Sequence, residues 1–156
     1  MRAKAVSLIV LAVVVIVYSI YISLPAGQAA AQRTETIVTK VIDGDTLVIE
    51  GGQRVRLLNI DTRERGENCY TEAKKRLEEL TLLKNVTLER DKEDKDRYDR
   101  LLRHIYVGNI SANLQLAKEG LAVAYIYEPN VKYREAFAAA EQEGKAAKGC
   151  VWMKLP

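Results

Sequence analysis

The chain has 156 residues, the size of one ordinary domain. A hydrophobic share of 48% and a charged share of 29% exclude a disordered chain, a collagen and a polytopic membrane protein. Two cysteines and one histidine are too few for a four-ligand zinc site or for a mechanism built on two histidines. The net charge is +3, but residues 1–31 hold Arg2 and Lys4 and no acid, which leaves 22 basic against 21 acidic residues in the remainder. A polyanion therefore has to be met by local patches, not by the field of the whole domain.

The first element is a targeting segment. After Arg2 and Lys4 no charge appears until Arg33, and Ser19 is the one clearly polar residue between Leu8 and Ile22. Pro25, Gly27 and Ala29-Ala30-Ala31 follow, so residues 1–31 read either as a signal peptide cleaved after Ala31 or as an uncleaved anchor. The 20 residues from Ala5 to Leu24 reach ~30 Å at ~1.5 Å each, about one hydrocarbon core. Either reading puts residues 32–156 outside the cytoplasm, secreted or tethered. In an oxidising compartment Cys69 and Cys150, 81 positions apart, are expected to form a disulfide. Such a loop closure stabilises by ~4 kcal/mol in the chain-entropy model.

The β-branched run 36–42 predicts a strand, and 46–50 a second. Gly51-Gly52 predicts a two-residue turn into a third strand over 53–60. Leucines at three- and four-residue steps predict a helix over 70–83, with Thr71 as its cap. Further strands are predicted over 86–90 and 101–107, separated by a charged loop over 91–100. Ser111 is expected to cap a helix that stops at Gly120, residues 121–127 to be extended, and a last helix to run from Pro129-Asn130 to about Lys148. Helices are not interleaved one per strand, which argues against a doubly wound sheet. The expected class is α+β with a mostly β core: a five-stranded oligonucleotide/oligosaccharide-binding (OB) barrel with three packed helices.

The chemistry concentrates at Asp43-Gly44-Asp45-Thr46. Folding the hairpin about Gly51-Gly52 pairs Leu47 with Arg56, Asp45 with Leu58 and Asp43 with Ile60, with Asp61 one step beyond. Three carboxylates then gather at one end, with Arg56 on the face of Asp45. Clustered carboxylates repel and call for a cation. Oxygen donors select calcium or magnesium. Asp43 alone reads better as a turn residue that accepts a backbone N–H. Around such an ion an arginine clamps phosphate oxygens and a carboxylate activates water, roles open to Arg56, Glu64 and Arg100. His104, mid-strand and without a partner in these motifs, reads as structural.

Three ordered motifs carry a resemblance: Val41-Ile-Asp-Gly-Asp-Thr46, Arg56-Leu-Leu-Asn-Ile-Asp-Thr62 with Glu64, and Asp96-Arg-Tyr-Asp-Arg-Leu101. With Gly120-Leu-Ala and Tyr125-Ile-Tyr-Glu-Pro-Asn130, the region from Thr36 to Trp152 resembles the staphylococcal nuclease (thermonuclease) family. The resemblance implies an OB barrel and calcium-dependent hydrolysis of DNA and RNA, with little sequence specificity and 3′-phosphate product ends. It implies Asp45, Asp61 and the Thr62 carbonyl as metal ligands, with Asp43 in support. Arg56, Glu64 and Arg100 become the catalytic residues, and Tyr98, Tyr125 and Tyr127 the nucleotide-binding ones. Single-stranded nucleic acid is the expected partner, the protein a monomer, and residues 5–24 its membrane contact if uncleaved. Arg63 stands where the family usually has Pro, and Asp99 where it prefers Gly. An acid beside Arg100 is expected to pair with it. The alternative from a different class is an OB module that binds nucleic acid without cleaving it. A third is an extracytoplasmic domain that uses calcium for stability only.

Overall fold

The computed structural model describes residues 33–153; the expected targeting segment lies outside them. Among the described residues no helix is long and apolar enough to cross a membrane. Five strands build the barrel: β1 (Arg33–Val41), β2 (Thr46–Ile49), β3 (Arg54–Leu57), β5 (Asn85–Glu89) and β6 (Leu101–Val107). They pair in the order β3-β2-β1-β5-β6, and a parallel pairing of β3 with β6 closes the ring. This is the expected OB-type barrel. Two-residue strands β4 (Ile60–Asp61) and β8 (Val123–Ala124) pair with each other, and β7 (Ile110–Ser111) extends β6.

Alternation fixes which side chains fill the interior. Leu47, Ile49, Val55 and Leu57 point inward and are buried, while Thr46, Val48, Arg54 and Arg56 line the other face. The interior is completed by Val38, Val86, Leu88, Leu101 and Ile105. Three helices pack outside: α1 (Tyr70–Thr81), α2 (Ala112–Lys118) and α3 (Arg134–Ala146). They contribute Leu77, Leu116 and Phe137, each fully buried, to the same apolar cluster. Buried Asn113 ties α2 to the closing strands: its Oδ1 accepts from the Ile105 amide and its Nδ2 donates to the Leu58 carbonyl, both at 2.9 Å.

Six expectations are corrected. The β2–β3 loop has three residues, Glu50 to Gly52, because Gly51 and Gly52 both take positive φ and Ile49 bonds to Gln53. The odd loop slips the register by one: Arg56 faces Thr46 and Val55 faces Leu47. The third strand ends at Leu57, because Asn59 turns to φ 63 and sends Ile60–Asp61 to another partner. Thr71 lies inside α1, and the cap position is Cys69 at φ 72. The last helix begins at Arg134 rather than at Pro129-Asn130, and only Val123–Ala124 of the 121–127 stretch pairs as strand. Ser111 does cap α2, accepting from the Leu114 amide at 3.2 Å. Cys69 and Cys150 form a disulfide across a Cα separation of 5.7 Å.

Candidate active site

The acidic turn between β1 and β2 is built by contacts that need Gly44. A Cβ there would lie 2.7 Å from the Ala73 Cβ and 2.8 Å from the Thr62 Oγ1. Without it, Thr62 closes on the turn. Its amide and hydroxyl both donate to Asp45 Oδ2 at 3.1 Å. The Thr46 hydroxyl donates to Asp45 Oδ1 at 3.0 Å. Asp43 Oδ1 accepts the Asp45 amide at 3.1 Å, the backbone role its place in the turn suggested.

Arg56 binds this turn to the next one. Its Nη1 donates to the carbonyls of Leu57 and Ile60 at 2.8 Å each. Its Nη2 lies 2.9 Å from Asp61 Oδ1 and 3.1 Å from Asp45 Oδ2. Asp45 and Asp61 are thus brought together around one guanidinium, and Asp43 stands behind them. Burial, and then the charge of Asp45, push the carboxyls of Asp43 and Asp61 above the ordinary aspartate range. Arg56 opposes this at Asp61 and does not cancel it.

Among the described residues no three His, Cys, Asp or Glu side chains form a metal-ligating cluster. The donor set nevertheless fits a hard divalent cation. It consists of oxygens alone, two carboxylates share it, and their mutual repulsion is the kind a cation relieves. The expected third ligand, the Thr62 carbonyl, belongs to the residue already bonded to Asp45.

Arg56 also lines a cleft of about 390 Å³. Its walls carry Tyr98, Arg100, Tyr125 and Tyr127, so five of the residues singled out in the sequence meet there. Tyr98 and Tyr125 are each 55% exposed, and Tyr125 and Tyr127 lie 5.7 Å apart by ring centroid. Burial, reinforced by Glu93, raises the Tyr127 hydroxyl above its ordinary pKa. Arg100 Nε donates to Asp96 Oδ2 at 2.7 Å, and its Nη1 makes a long 3.5 Å approach to Thr46 Oγ1. Burial works against the Asp96 charge, but the Arg100 and Tyr98 amides and the Arg100 guanidinium hold its carboxyl below the ordinary range. Arg97 and Arg100 lie over the Tyr98 ring at 4.8 and 5.5 Å, and Arg54 donates to the Tyr98 carbonyl at 3.1 Å.

Two details depart from expectation. Asp99 pairs with Lys95 at 2.7 Å and leaves Arg100 to Asp96. Asp99 takes φ 62, a left-handed position that favours glycine. Glu64 sits on an exposed loop outside the cleft walls; its amide donates to Glu67 Oε2 at 2.9 Å. A wider hollow of about 610 Å³ lies beside the disulfide and sets Arg63 against Glu67 and Glu72, an acidic excess that draws no polyanion. Sequence reasoning missed two buried asparagines, Asn59, which lines the cleft, and Asn130, whose backbone carbonyl accepts from it.

Fold and site together define an OB-barrel domain with an arginine-bridged acidic turn opening into a basic, aromatic cleft. The family described as staphylococcal nuclease homologue matches residues 54–154, and the chain belongs to it. Its sequence is 44% identical over 141 residues to endonuclease YncB of Bacillus subtilis (strain 168), spanning 83% of this chain and 67% of that protein. It is 34% identical over 140 residues to the thermonuclease of Staphylococcus hyicus, 81% and 80% of the two chains. To the thermonuclease of Staphylococcus intermedius it is 39% identical over 129 residues, 74% of each.

Proposed function

We propose that this chain is an exported, calcium-dependent nuclease that hydrolyses phosphodiester bonds of DNA and RNA with little sequence preference and leaves 3′-phosphate ends. One observation carries the reading: Arg56 both lines the tyrosine cleft and pairs with Asp45 and Asp61. A strand lying in the cleft therefore meets the acidic turn through a shared guanidinium. Relatives named endonuclease and thermonuclease support the same chemistry.

Asp45, Asp61 and the Thr62 carbonyl would hold the ion, with Asp43 stabilising the turn behind them. When bound, it supplies charge neutralisation and polarises a phosphate oxygen. The tyrosines Tyr98, Tyr125 and Tyr127 receive bases and sugars on their faces, which is sequence-tolerant because every base has a π-face. Arg100 points its terminal nitrogens at the phosphate and stabilises charge as it develops. Nη1 and Nη2 of Arg56 donate to the Leu57 and Ile60 carbonyls and to Asp61 and pair with Asp45, so its Nε–H is the donor left for the substrate. Glu64 orients a water and takes its proton. The domain, residues 32–156, acts outside the cytoplasm as a monomer, after a signal peptide or behind a membrane anchor over residues 1–31. The disulfide suits such a compartment.

The test is cleavage of denatured DNA by the purified protein, with calcium and with chelator. Calcium-dependent cleavage abolished by Glu64→Gln is expected. Tight binding without cleavage would establish the binding module instead.

A further inference from the structure

Three separate stretches of chain wall the cleft. One is the β3–β4 turn with Arg56, Asn59 and Ile60; the second is the charged loop with Glu93 to Arg100; the third is the segment with Tyr125 and Tyr127. Among the described residues no strand joins the second stretch to the third; the buried Asn130 carboxamide does, and that of Asn59 binds the first stretch to the third. Asn59 Nδ2 donates to the Asn130 carbonyl at 2.8 Å, and the Asn59 carbonyl accepts the Tyr125 amide at 3.0 Å. Asn130 Oδ1 accepts the amides of Lys92 and Glu93 at 3.2 and 3.0 Å, and its Nδ2 donates to Glu93 Oε2 at 3.0 Å. The Asn130 amide also donates back to the Tyr127 carbonyl at 3.0 Å. Every polar atom of the Asn130 side chain is used, and the residue is 0% exposed.

Asn59 is different. It is 1% exposed, and its Oδ1 has no partner. The amide cannot be turned round to cure this, because the Asn130 carbonyl only accepts and must face Nδ2. A leucine at this position would avoid the orphaned acceptor, which carries a desolvation cost. Asparagine is retained where half of it is a liability, and its other half adds a side-chain bond between the first and third walls to the β4–β8 pairing that also joins them.

We infer that Asn59 and Asn130 are positioning residues whose carboxamides, one binding the first wall to the third and the other the third to the second, fix the spacing of the three cleft walls and thereby set the affinity for a polynucleotide strand. This rests on the reading of the cleft as a polynucleotide site. The pair acts on binding and not on the chemical step. The acidic turn and Arg56 are held by their own bonds to Thr62, Leu57 and Ile60, none of which passes through either asparagine.

The experiment compares Asn59→Leu, Asn130→Ala and the double variant with the parent protein. The readouts are kcat and KM on denatured DNA with calcium, and the Kd of a fluorescent ten-nucleotide thymidine strand on a Glu64→Gln background, where the strand stays intact. Each single variant is expected to raise KM and Kd about tenfold, the factor for one hydrogen bond of ordinary strength, with kcat within about twofold. The double variant should bind worse than either single, because the two substitutions cut different links, Asn59 to the Asn130 carbonyl and Asn130 to Lys92 and Glu93. Urea unfolding of Asn59→Leu should show a modestly lowered midpoint, since the orphaned Oδ1 leaves but the buried Asn130 carbonyl loses its donor. Unchanged Kd in either single variant, a loss confined to kcat, or a double variant no weaker than the worse single would each overturn the assignment. If Asn59→Leu does not fold, Asn130→Ala decides by the same Kd criterion. A parent protein that neither binds nor cleaves would instead sink the polynucleotide reading itself.

Discussion

His104 should make the stability of this protein fall between neutral and mildly acid pH. The imidazole is 1% exposed, set edge-on to Tyr133 at 4.8 Å and stacked on Phe137 at 5.8 Å, with Nε2 unpartnered. Burial drives its pKa from 6.5 down to about 4; the charges of Asp91 and Glu89 pull the other way and lose, and Lys132 adds to the depression. The sign follows from linkage. Below pH 6.5 the unfolded chain takes up a proton that the folded chain refuses until about pH 4. Stability is therefore unaffected above that window and declines through it. At ~1.36 kcal/mol per pH unit the loss approaches ~3 kcal/mol, a large part of the ~5–15 kcal/mol of an ordinary domain. Glu89 acts lower. Burial opposes its ionisation, yet Lys132, Tyr133 and Arg33 hold its carboxyl at about 2, so its contribution is present above the normal glutamate range and lost only as pH falls through about 2. The assay is urea unfolding of the parent and His104→Leu at several pH values from 8 to 4, followed by circular dichroism. The packing difference between the two side chains is a constant offset. The stability difference should shift by ~3 kcal/mol in favour of leucine as pH drops. A difference that stays flat would refute a buried, proton-refusing imidazole.

Arg100→Ala should lower kcat by ~10²–10³, the effect of removing one preorganised donor, with little change in the urea midpoint. Gly44→Ala should cost ~1–3 kcal/mol in thermal unfolding, because the added methyl meets Thr62 and Ala73 below 3 Å; calcium titration should show weaker binding, since Thr62 is displaced from Asp45. Reduction with dithiothreitol should remove ~4 kcal/mol of stability, read from urea midpoints with and without reductant.

Local chemistry made much of the fold legible. Strand β6 matches its expected bounds, since Leu101 to Val107 is rich in residues that suit strands and ends at a glycine turn. The cap of α2 was legible because Ser111 acts on its own helix. The register of β2 on β3 was not, because it depends on whether Glu50 belongs to strand or loop, and composition carries no information on that choice. The acidic turn, the two arginines and the three tyrosines could be picked out because their motifs are contiguous. Asn59 and Asn130 could not, because their bonding joins positions 71 apart. The one available hint was a polar residue inside the apolar run Leu57-Leu58-Asn59-Ile60. Likewise Asp99 seemed set to pair with its neighbour Arg100, whereas its left-handed backbone turns it to Lys95.

The parallel seam between β3 and β6 joins Val55 to Leu101, 46 positions later. During synthesis, or on emerging from a translocation pore amino end first, β3 waits with bare amides and carbonyls until β6 arrives. Such an unfinished edge is a template for pairing with a neighbouring chain. Aggregation during biogenesis should accordingly depend on how quickly those intervening residues are delivered, and truncations ending before Leu101 should be far stickier than those ending after Val107.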